Sequence, residues 1–208
     1  MDAGELLTEN RIVPVLVIED LSIALDLALA LRDAGVKAIE ITLRTQAALP
    51  AIELISSQVQ GMIVGAGSVR IASHFEEVVN HGASFAVSPG ATDSLLEASD
   101  RLKMPFIPGA VTASEIISLS EKGYQLQKFF PAELSGGTKM LKALSAPLPE
   151  IRFFPTGGIN AEVAQSYLAL ECVTCIGGSW FISPDYLADK KFKEISKQTA
   201  EALSTVHV

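Results

Sequence analysis

The sequence predicts an α/β protein, a single domain whose strands and helices alternate and close into a (β/α)8 barrel, the TIM-barrel fold. Eight short apolar segments recur along the chain, each followed by a turn and an amphipathic stretch. The chain has 208 residues, a length at which such barrels fold as one domain. We therefore expect residues 1–208 to form one unit.

The eight predicted strands are the apolar segments, which begin roughly 20 to 26 residues apart, the size of a strand and its crossover helix. They are residues 12–18, 38–43, 62–66, 85–88, 105–109, 126–130, 152–156 and 173–177. An open, doubly wound sheet is the alternative, but it usually has fewer strands and a glycine-rich nucleotide loop after the first strand. Here the residues after Ile18 contain no glycine until Gly35.

The connecting stretches read as helices. An apolar stripe over residues 21–31 predicts the first of them. Thr112 and Glu115 have the spacing of a capping box and predict another helix start. Residues 1–10 and roughly 185–208 are left over, and we expect them to form added helices, so that the barrel has an extra N-terminal helix.

Composition and charge exclude several function classes. Hydrophobic residues make up 49% and charged residues 19% of the chain, which is typical of a globular protein. The net charge is −8 and no run of five basic residues occurs, which argues against nucleic-acid binding. No apolar run is long enough to span a bilayer, and the N-terminus lacks the features of a signal peptide. We expect a cytoplasmic protein that binds neither membrane nor nucleic acid.

The second predicted strand carries polar residues on one face. Strand side chains alternate, so Glu40, Thr42 and Arg44 share a face while the apolar residues between them share the other. If the apolar face packs under the helices, the polar face points into the barrel. Burying these charges is costly unless they are paired or used. They therefore indicate either an active site or a Glu–Arg pair that satisfies itself at the barrel mouth.

The sixth predicted strand carries Lys128 inside an apolar run. Lysine is rarely buried without a purpose. Desolvation and a nearby cation, here Arg44, favour the neutral amine, which attacks carbonyl carbons. The alternative is a lysine that extends outward between two helices to reach solvent.

Glycine-rich segments follow three predicted strands. We interpret residues 65–68 as one such loop, and the other two contain Gly157 with Gly158 and Gly178 with Ser179. Glycine lets backbone N–H groups approach an anion, and the loops after strands seven and eight often bind phosphate in barrels. Any single glycine pair could instead be a tight turn.

Cysteine and histidine do not indicate a metal site. Cys172 and Cys175 are spaced as C-x-x-C, but residues three apart on a strand face opposite sides, and no second pair exists. His74 and His81 are two helical turns apart and read as solvated surface residues. We expect structural thiols and no metal.

Seven segments together resemble the bacterial 2-keto-3-deoxy-6-phosphogluconate (KDPG) aldolase / 4-hydroxy-2-oxoglutarate (KHG) aldolase family. The most specific are Glu-Ile-Thr-Leu-Arg-Thr at 40–45 and Lys-Phe-Phe-Pro-Ala-Glu at 128–133. The others are residues 13–16, 65–69, 88–90, 155–159 and 175–180. They run in order over nearly the whole chain.

The resemblance implies a role for each matching residue. Lys128 would form the Schiff base and Glu40 would transfer protons. The implied substrate contacts, among which Arg44 holds the carboxylate, are Arg44, Ser68, Pro89, Phe130 and Thr156. The implied phosphate contacts are Gly157, Gly158, Gly178 and Ser179.

The family usually has threonine where this chain has Ser68. Serine keeps the hydroxyl donor and loses one methyl group, so the contact should survive with looser packing.

The resemblance further implies a homotrimer that needs neither cofactor nor metal and binds a small-molecule 2-keto acid. The expected reaction is class I cleavage of KDPG to pyruvate and D-glyceraldehyde 3-phosphate in the Entner–Doudoroff pathway, with KHG cleavage to pyruvate and glyoxylate alongside. The alternatives are an aldolase for 2-dehydro-3-deoxy-6-phosphogalactonate, a phosphate-binding barrel that works without covalent catalysis, and a non-catalytic binder of sugar-acid phosphates.

Overall fold

A computed structural model describes residues 3–206, and within them strands and helices alternate as predicted. The strands are β1 (Ile12–Leu16), β2 (Ala38–Thr42), β3 (Ile63–Gly67), β4 (Phe85–Val87), β5 (Phe106–Ile107), β6 (Leu126–Phe129), β7 (Arg152–Pro155) and β8 (Ile176–Gly178). The helices are α1 (Ala3–Leu7), α2 (Ala24–Asp33), α3 (Ala48–Gln58), α4 (Ser73–Asn80), α5 (Asp93–Leu102), α6 (Ala113–Glu121), α7 (Gly137–Ser145), α8 (Ala161–Leu168), α9 (Pro184–Ala188) and α10 (Phe192–Thr205).

The strands form a curled parallel sheet. Six of them are hydrogen-bonded in the order β5-β4-β3-β2-β1-β8, and β6 pairs with β7. Isolated parallel bridges join Gly109 to Lys128 and Thr156 to Gly177, at the edges where these two sheets meet. The α/β prediction is thereby confirmed, and the carboxyl ends of all the strands lie at one end of the sheet, as in other parallel sheets with crossover helices.

Seven of the eight strands are shorter than predicted, and the bounds of the fifth and the eighth differ most from the prediction. The fifth strand is β5 alone, because Pro105 and Pro108 have no N–H to donate to a ladder. The eighth begins at Ile176 and not at Val173. Val173 makes a single isolated bridge to Phe153, so the chain approaches β7 there without continuous pairing.

The start of one helix is as predicted from the sequence, and the start of another is not. The Thr112 side chain accepts a hydrogen bond from the Glu115 N–H and the Glu115 carboxylate accepts from the Thr112 N–H, which confirms the predicted capping box. A 3₁₀ turn over Leu21–Ile23 precedes α2, so the helix begins later than the apolar stripe suggests. None of the helices within residues 3–206 has the length and apolar character needed to cross a membrane.

The apolar core has an outer and an inner part. The outer part fills the space between the sheet and the helices. The inner part lies on the other face of the strands and contains Ala38 of β2 and Leu126 of β6, with α1 packed against it through Leu7. Because strand side chains alternate, Glu40 and Lys128, two residues further along, lie on the same inner face. The inner core therefore supports these two charged side chains from below.

Candidate active site

Lys128 and Glu40 form an ion pair on the inner face of the sheet. The Lys128 Nζ donates hydrogen bonds to Glu40 Oε1 at 3.1 Å and to Oε2 at 3.5 Å. The two side chains are 6% and 0% exposed. They are 88 residues apart in the sequence, so the pairing of Lys128 with Glu40 is a tertiary contact, and it takes the place of the Glu40–Arg44 pair that was one of the two alternatives for the second strand.

This ion pair differs from the others in the molecule. Every other ion pair within residues 3–206 joins side chains that are at least 39% exposed. The Phe130 and Phe154 rings lie 5.5 and 5.9 Å from the Lys128 Nζ and keep water away from it. A buried pair of this kind contributes little net stability because desolvation offsets the attraction. Charges placed here at such a cost indicate a functional site.

Glycine makes room for the carboxylate. Gly67 is the last residue of β3, and a Cβ atom there would lie 2.0 Å from Glu40 Oε1. A Cβ on Gly65 would lie 2.2 Å from the Phe85 ring. Gly65 and Ala66 fall in the predicted strand 62–66, and β3 continues to Gly67, so the alternative interpretation of residues 65–68 as a loop is wrong for these three strand residues paired with β2. Their small size admits neighbouring side chains to the inner face.

The second-strand polar face is only partly buried. Glu40 and Thr42 are buried, and the Thr42 hydroxyl donates to the Leu16 carbonyl at 3.0 Å. Arg44 lies beyond the end of β2, where it is exposed to solvent but lines the same cavity as Glu40 and Lys128. Its Nε donates to Ser68 Oγ at 3.3 Å. A Glu40–Arg44 pair does not form, because Lys128 takes the carboxylate.

A cavity of about 380 Å³ opens above the Lys128–Glu40 pair. The predicted catalytic and substrate-contact residues all line it, together with Val15, Thr42, Leu43 and Arg70. Thr156 Oγ1 is buried at its edge and has no hydrogen-bond partner within residues 3–206. An unsatisfied buried hydroxyl costs free energy, so this one is suited to a polar group of a ligand.

Arg70 is the lining residue that sequence reasoning missed. It stands two positions after Ser68, on the segment between β3 and α4. The signal available in the sequence was a cation placed just beyond a strand end, where barrel chemistry occurs.

A second cavity of about 330 Å³ adjoins the first. It is lined by the four predicted phosphate contacts, Gly157, Gly158, Gly178 and Ser179, and it shares Arg44 and Thr156 with the first cavity. Gly157 and Gly158 have φ values of 102° and 81°, which favour glycine. A Cβ on Gly178 would meet the Trp180 ring at 2.3 Å.

The Gly157–Gly158 turn rests on the segment that follows Lys128. The Glu133 N–H donates to the Gly157 carbonyl at 3.1 Å, and a Cβ on Gly158 would lie 2.8 Å from the Glu133 Cβ. The Glu133 carboxylate accepts a hydrogen bond from the Tyr167 hydroxyl of α8. Burial and this bond to Glu133 raise the pKa of Tyr167, so the phenol stays protonated and keeps donating.

The cysteines are buried free thiols. Cys172 belongs to the outer core and Cys175 to the inner core, as expected of residues that face opposite sides. Burial, with a smaller contribution from the Glu40 charge, raises the pKa of the Cys175 thiol well above its usual range. The protonated thiol is a poor nucleophile, which agrees with a structural role.

The two histidines are half-buried, so the expectation of fully solvated side chains is only partly met. The His74 Nδ1 accepts from the Arg70 N–H at 3.4 Å, and His81 lies just after α4. Within residues 3–206, no group of three His, Cys, Asp or Glu residues is arranged to hold a metal ion.

The chain is similar to known proteins over nearly its whole length. A family model described as KDPG and KHG aldolase matches residues 4–198. The 2-dehydro-3-deoxy-phosphogluconate aldolase of Dickeya dadantii is 44% identical over 97% of this chain and 95% of its own. The KHG/KDPG aldolase of Escherichia coli (strain K12) is 43% identical over 97% of this chain and 94% of its own.

A crystal structure gives the same result. KDPG aldolase from Legionella pneumophila, with pyruvate captured at low pH as a covalent carbinolamine intermediate, superimposes with a TM-score of 0.94. It is 39% identical, and the match covers 97% of this chain and 98% of the other.

Proposed function

The chain belongs to the KDPG and KHG aldolase family, and from this membership we propose that it cleaves KDPG to pyruvate and D-glyceraldehyde 3-phosphate through a Schiff base on Lys128. It is a class I aldolase, a carbon–carbon lyase. The observation that carries the assignment of residues is the buried pair of Lys128 and Glu40, 3.1 Å apart at the floor of a cavity large enough for a small keto acid.

The first half of the reaction forms the imine. The neutral Lys128 amine attacks C2 of the substrate, and Glu40 moves protons so that the ketone oxygen leaves as water. The 3.1 Å hydrogen bond already places the carboxylate within proton-transfer reach of the nitrogen. The protonated imine then withdraws electrons from the neighbouring carbon–carbon bonds.

The second half breaks the C3–C4 bond. Glu40, directly or through a water molecule, removes the proton of the C4 hydroxyl, and the bonding electrons move into the imine to give an enamine and an aldehyde. The enamine is protonated at C3, and water hydrolyses the resulting imine to release pyruvate and regenerate the amine. One carboxylate can serve in every step because the transfers occur in sequence.

The remaining predicted residues bind the ends of the substrate. Arg44 and Ser68, already hydrogen-bonded to each other, hold the C1 carboxylate. Pro89, Phe130 and the free Thr156 hydroxyl surround the keto-acid carbons.

At the other end, Gly157, Gly158, Gly178 and Ser179 receive the phosphate in the adjoining cavity through backbone and hydroxyl donors. No cofactor or metal takes part in this scheme, because the imine itself is the electron sink.

KHG is a second substrate of the proposed enzyme. The amine, the carboxylate and the Arg44–Ser68 pair all line the first cavity, and none of the four proposed phosphate contacts lines it. A keto acid without phosphate can therefore react there, with a lower affinity. 2-Dehydro-3-deoxy-6-phosphogalactonate, an epimer of KDPG, would use the same groups. Measuring the cleavage rate of each epimer shows which of them is the preferred substrate.

Family membership also suggests the domain architecture, the oligomeric state and the cellular location. We propose one domain over residues 1–208, with all eight strands closed into a (β/α)8 barrel and an extra N-terminal helix covering its base. The bridges from Gly109 to Lys128 and from Thr156 to Gly177 support the closure, and the contact of Leu7 with the inner core supports the helix. We further propose a homotrimer in the cytoplasm.

Borohydride reduction in the presence of pyruvate tests the assignment. We expect peptide mass spectrometry to find one reduced pyruvate adduct, on Lys128. Lys122, which forms an exposed ion pair with Asp93, should remain unmodified and serves as the internal control. A folded, concentrated sample with no adduct on Lys128 would refute covalent catalysis and favour a phosphate-binding barrel of another mechanism.

A further inference from the structure

Two guanidinium groups face the Lys128 cavity. Arg44 and Arg70 both line it, and neither forms an ion pair with a carboxylate within residues 3–206. The chain carries 24 acidic residues against 16 basic ones, so carboxylate partners are not scarce. Two unpaired cations at one cavity repel each other, and an anionic ligand between them relieves that repulsion.

The backbone before Arg70 is firmly held. Ser68 has a φ of 59°, an uncommon conformation for a residue other than glycine. Val69 is buried, and its N–H donates to the Val87 carbonyl of β4 at 3.1 Å. The Arg70 N–H itself donates to His74 Nδ1 at 3.4 Å. The side chain therefore starts from a fixed point at the rim of the cavity.

Arg70 stands at one end of the site. It lines the cavity that contains Lys128, Ser68 and Pro89 but not the adjoining glycine cavity, whereas Arg44 lines both. Since the phosphate is assigned to the glycine cavity, the anion nearest Arg70 is the carboxylate attached to the carbon that reacts with Lys128.

We propose that Arg70 is a specificity-determining residue that, together with Arg44, binds the C1 carboxylate of the 2-keto acid. The inference rests on the proposed function and assigns a residue to its carboxylate end. Arg44 provides one cation, bonded to Ser68, and Arg70 provides the other. The pair selects carbonyl compounds with an adjacent carboxylate over neutral ketones.

The test compares Arg70→Gln with Arg101→Gln. Arg101 is an exposed arginine in an ion pair with Glu76, so its substitution removes the same charge far from the cavity. In Arg70→Gln, we expect KM to rise about 3- to 10-fold for KDPG and for KHG alike, as for loss of one partly exposed charge-assisted contact. The kcat should stay within about twofold. Arg70→Lys should recover part of the loss, and Arg101→Gln should match the wild type.

Other outcomes would overturn the inference. An unchanged KM for both substrates would show that Arg70 binds neither end, and a rise for KDPG alone would assign it to the phosphate. A fall in kcat without a change in KM would mean that it acts on the chemistry or on the fold.

Borohydride trapping with saturating pyruvate separates these failures from failure of the proposed function. Wild type and Arg70→Gln should both be labelled on Lys128, because saturation offsets a weaker affinity. Wild-type protein without the adduct would refute the aldolase mechanism, while a normal adduct with an unchanged KM would refute only the role of Arg70.

Discussion

The two adjoining cavities are built in different ways. In the lysine half, side chains from central strand positions carry the chemistry, and Lys128 and Glu40 are almost fully buried. In the glycine half, Gly157, Gly158 and Gly178 offer backbone, and Ser179 is exposed. Exclusion of water favours a neutral amine in the lysine half, whereas an open glycine half suits the hydrated phosphate that we propose it binds.

Because the two halves are built differently, substitutions in them should have different effects on activity. Damage to the lysine half should affect every substrate, because each one passes through the same imine. Damage to the glycine half should weaken only phosphorylated substrates, because a short keto acid does not reach it. Five substitutions, with progressively smaller expected effects, test this contrast.

Lys128→Ala should abolish turnover of KDPG and KHG and remove the pyruvate adduct, because no other amine replaces the nucleophile. Steady-state kinetics with both substrates and borohydride trapping provide the measurement. Lys122→Ala removes an exposed lysine and should behave as the wild type. Near-normal activity of Lys128→Ala would eliminate the Schiff-base mechanism.

Glu40→Gln should lower kcat by about 10²- to 10⁴-fold for both substrates, as expected for loss of a positioned acid–base group. The amide has nearly the same shape, so the fold should survive, which circular dichroism would verify. A substantial residual rate at all pH values would mean that water, and not Glu40, transfers the protons.

Gly67→Ala should lower kcat for both substrates by about 10-fold or more, because the new methyl group would lie 2.0 Å from Glu40 Oε1 and displace the carboxylate. Gly61→Ala is the control. It has open space around it but a φ of 80°, so it should cost about 1 kcal/mol of stability and leave kcat unchanged. Equal kinetic effects in both variants would contradict the assigned role of Gly67.

Gly158→Ala should raise KM for KDPG by about 10-fold and leave KHG cleavage nearly unchanged. The added Cβ would lie 2.8 Å from the Glu133 Cβ at a φ of 81°, so the turn must shift away from the position in which we propose that it binds phosphate. Initial-rate measurements with KDPG and with KHG under the same conditions give the two KM values to be compared. An equal loss on both would show that the two halves are not separable.

Tyr167→Phe should produce the smallest effect, a rise of about 2- to 5-fold in KM for KDPG alone, because Glu133 loses one neutral hydrogen bond. The pKa of Tyr167 is raised in the folded protein. Its contribution to stability is therefore complete below the ordinary tyrosine pKa of about 10 and declines as the pH rises above it. Urea unfolding between pH 8 and 11 should show a shallower alkaline decline in Tyr167→Phe. An unchanged decline would exclude Tyr167 as its cause.

Local patterns were sufficient for much of the fold and for the two central residues. The alternation of short apolar segments with amphipathic stretches predicts strands and helices because each depends on neighbours along the chain. Lys128 and Glu40 stand out because a charge on an apolar strand is costly wherever the strand packs. The positions of Gly157, Gly158, Gly178 and Ser179 after the seventh and eighth strands likewise predict one shared cavity.

Other features depend on contacts that no local pattern encodes. Residues 65–68 have the composition of a loop, yet Gly65 and Gly67 are strand residues whose small size admits Phe85 and Glu40. A Glu40–Arg44 pair was one of two alternatives for the second strand, but Lys128 binds that carboxylate and Arg44 bonds to Ser68. Only the position of Arg70 shortly after a strand indicated that it could line the cavity.

Local sequence was enough to predict most strands and helices and to single out the charged residues on apolar strands, because propensity, periodicity and the cost of desolvation act over a few residues. Which charges meet depends on the three-dimensional packing of the strands. The ion pair joins residues 88 positions apart, and the close packing around it depends on the relative placement of β2, β3 and β6, which is set by the burial of the whole inner core.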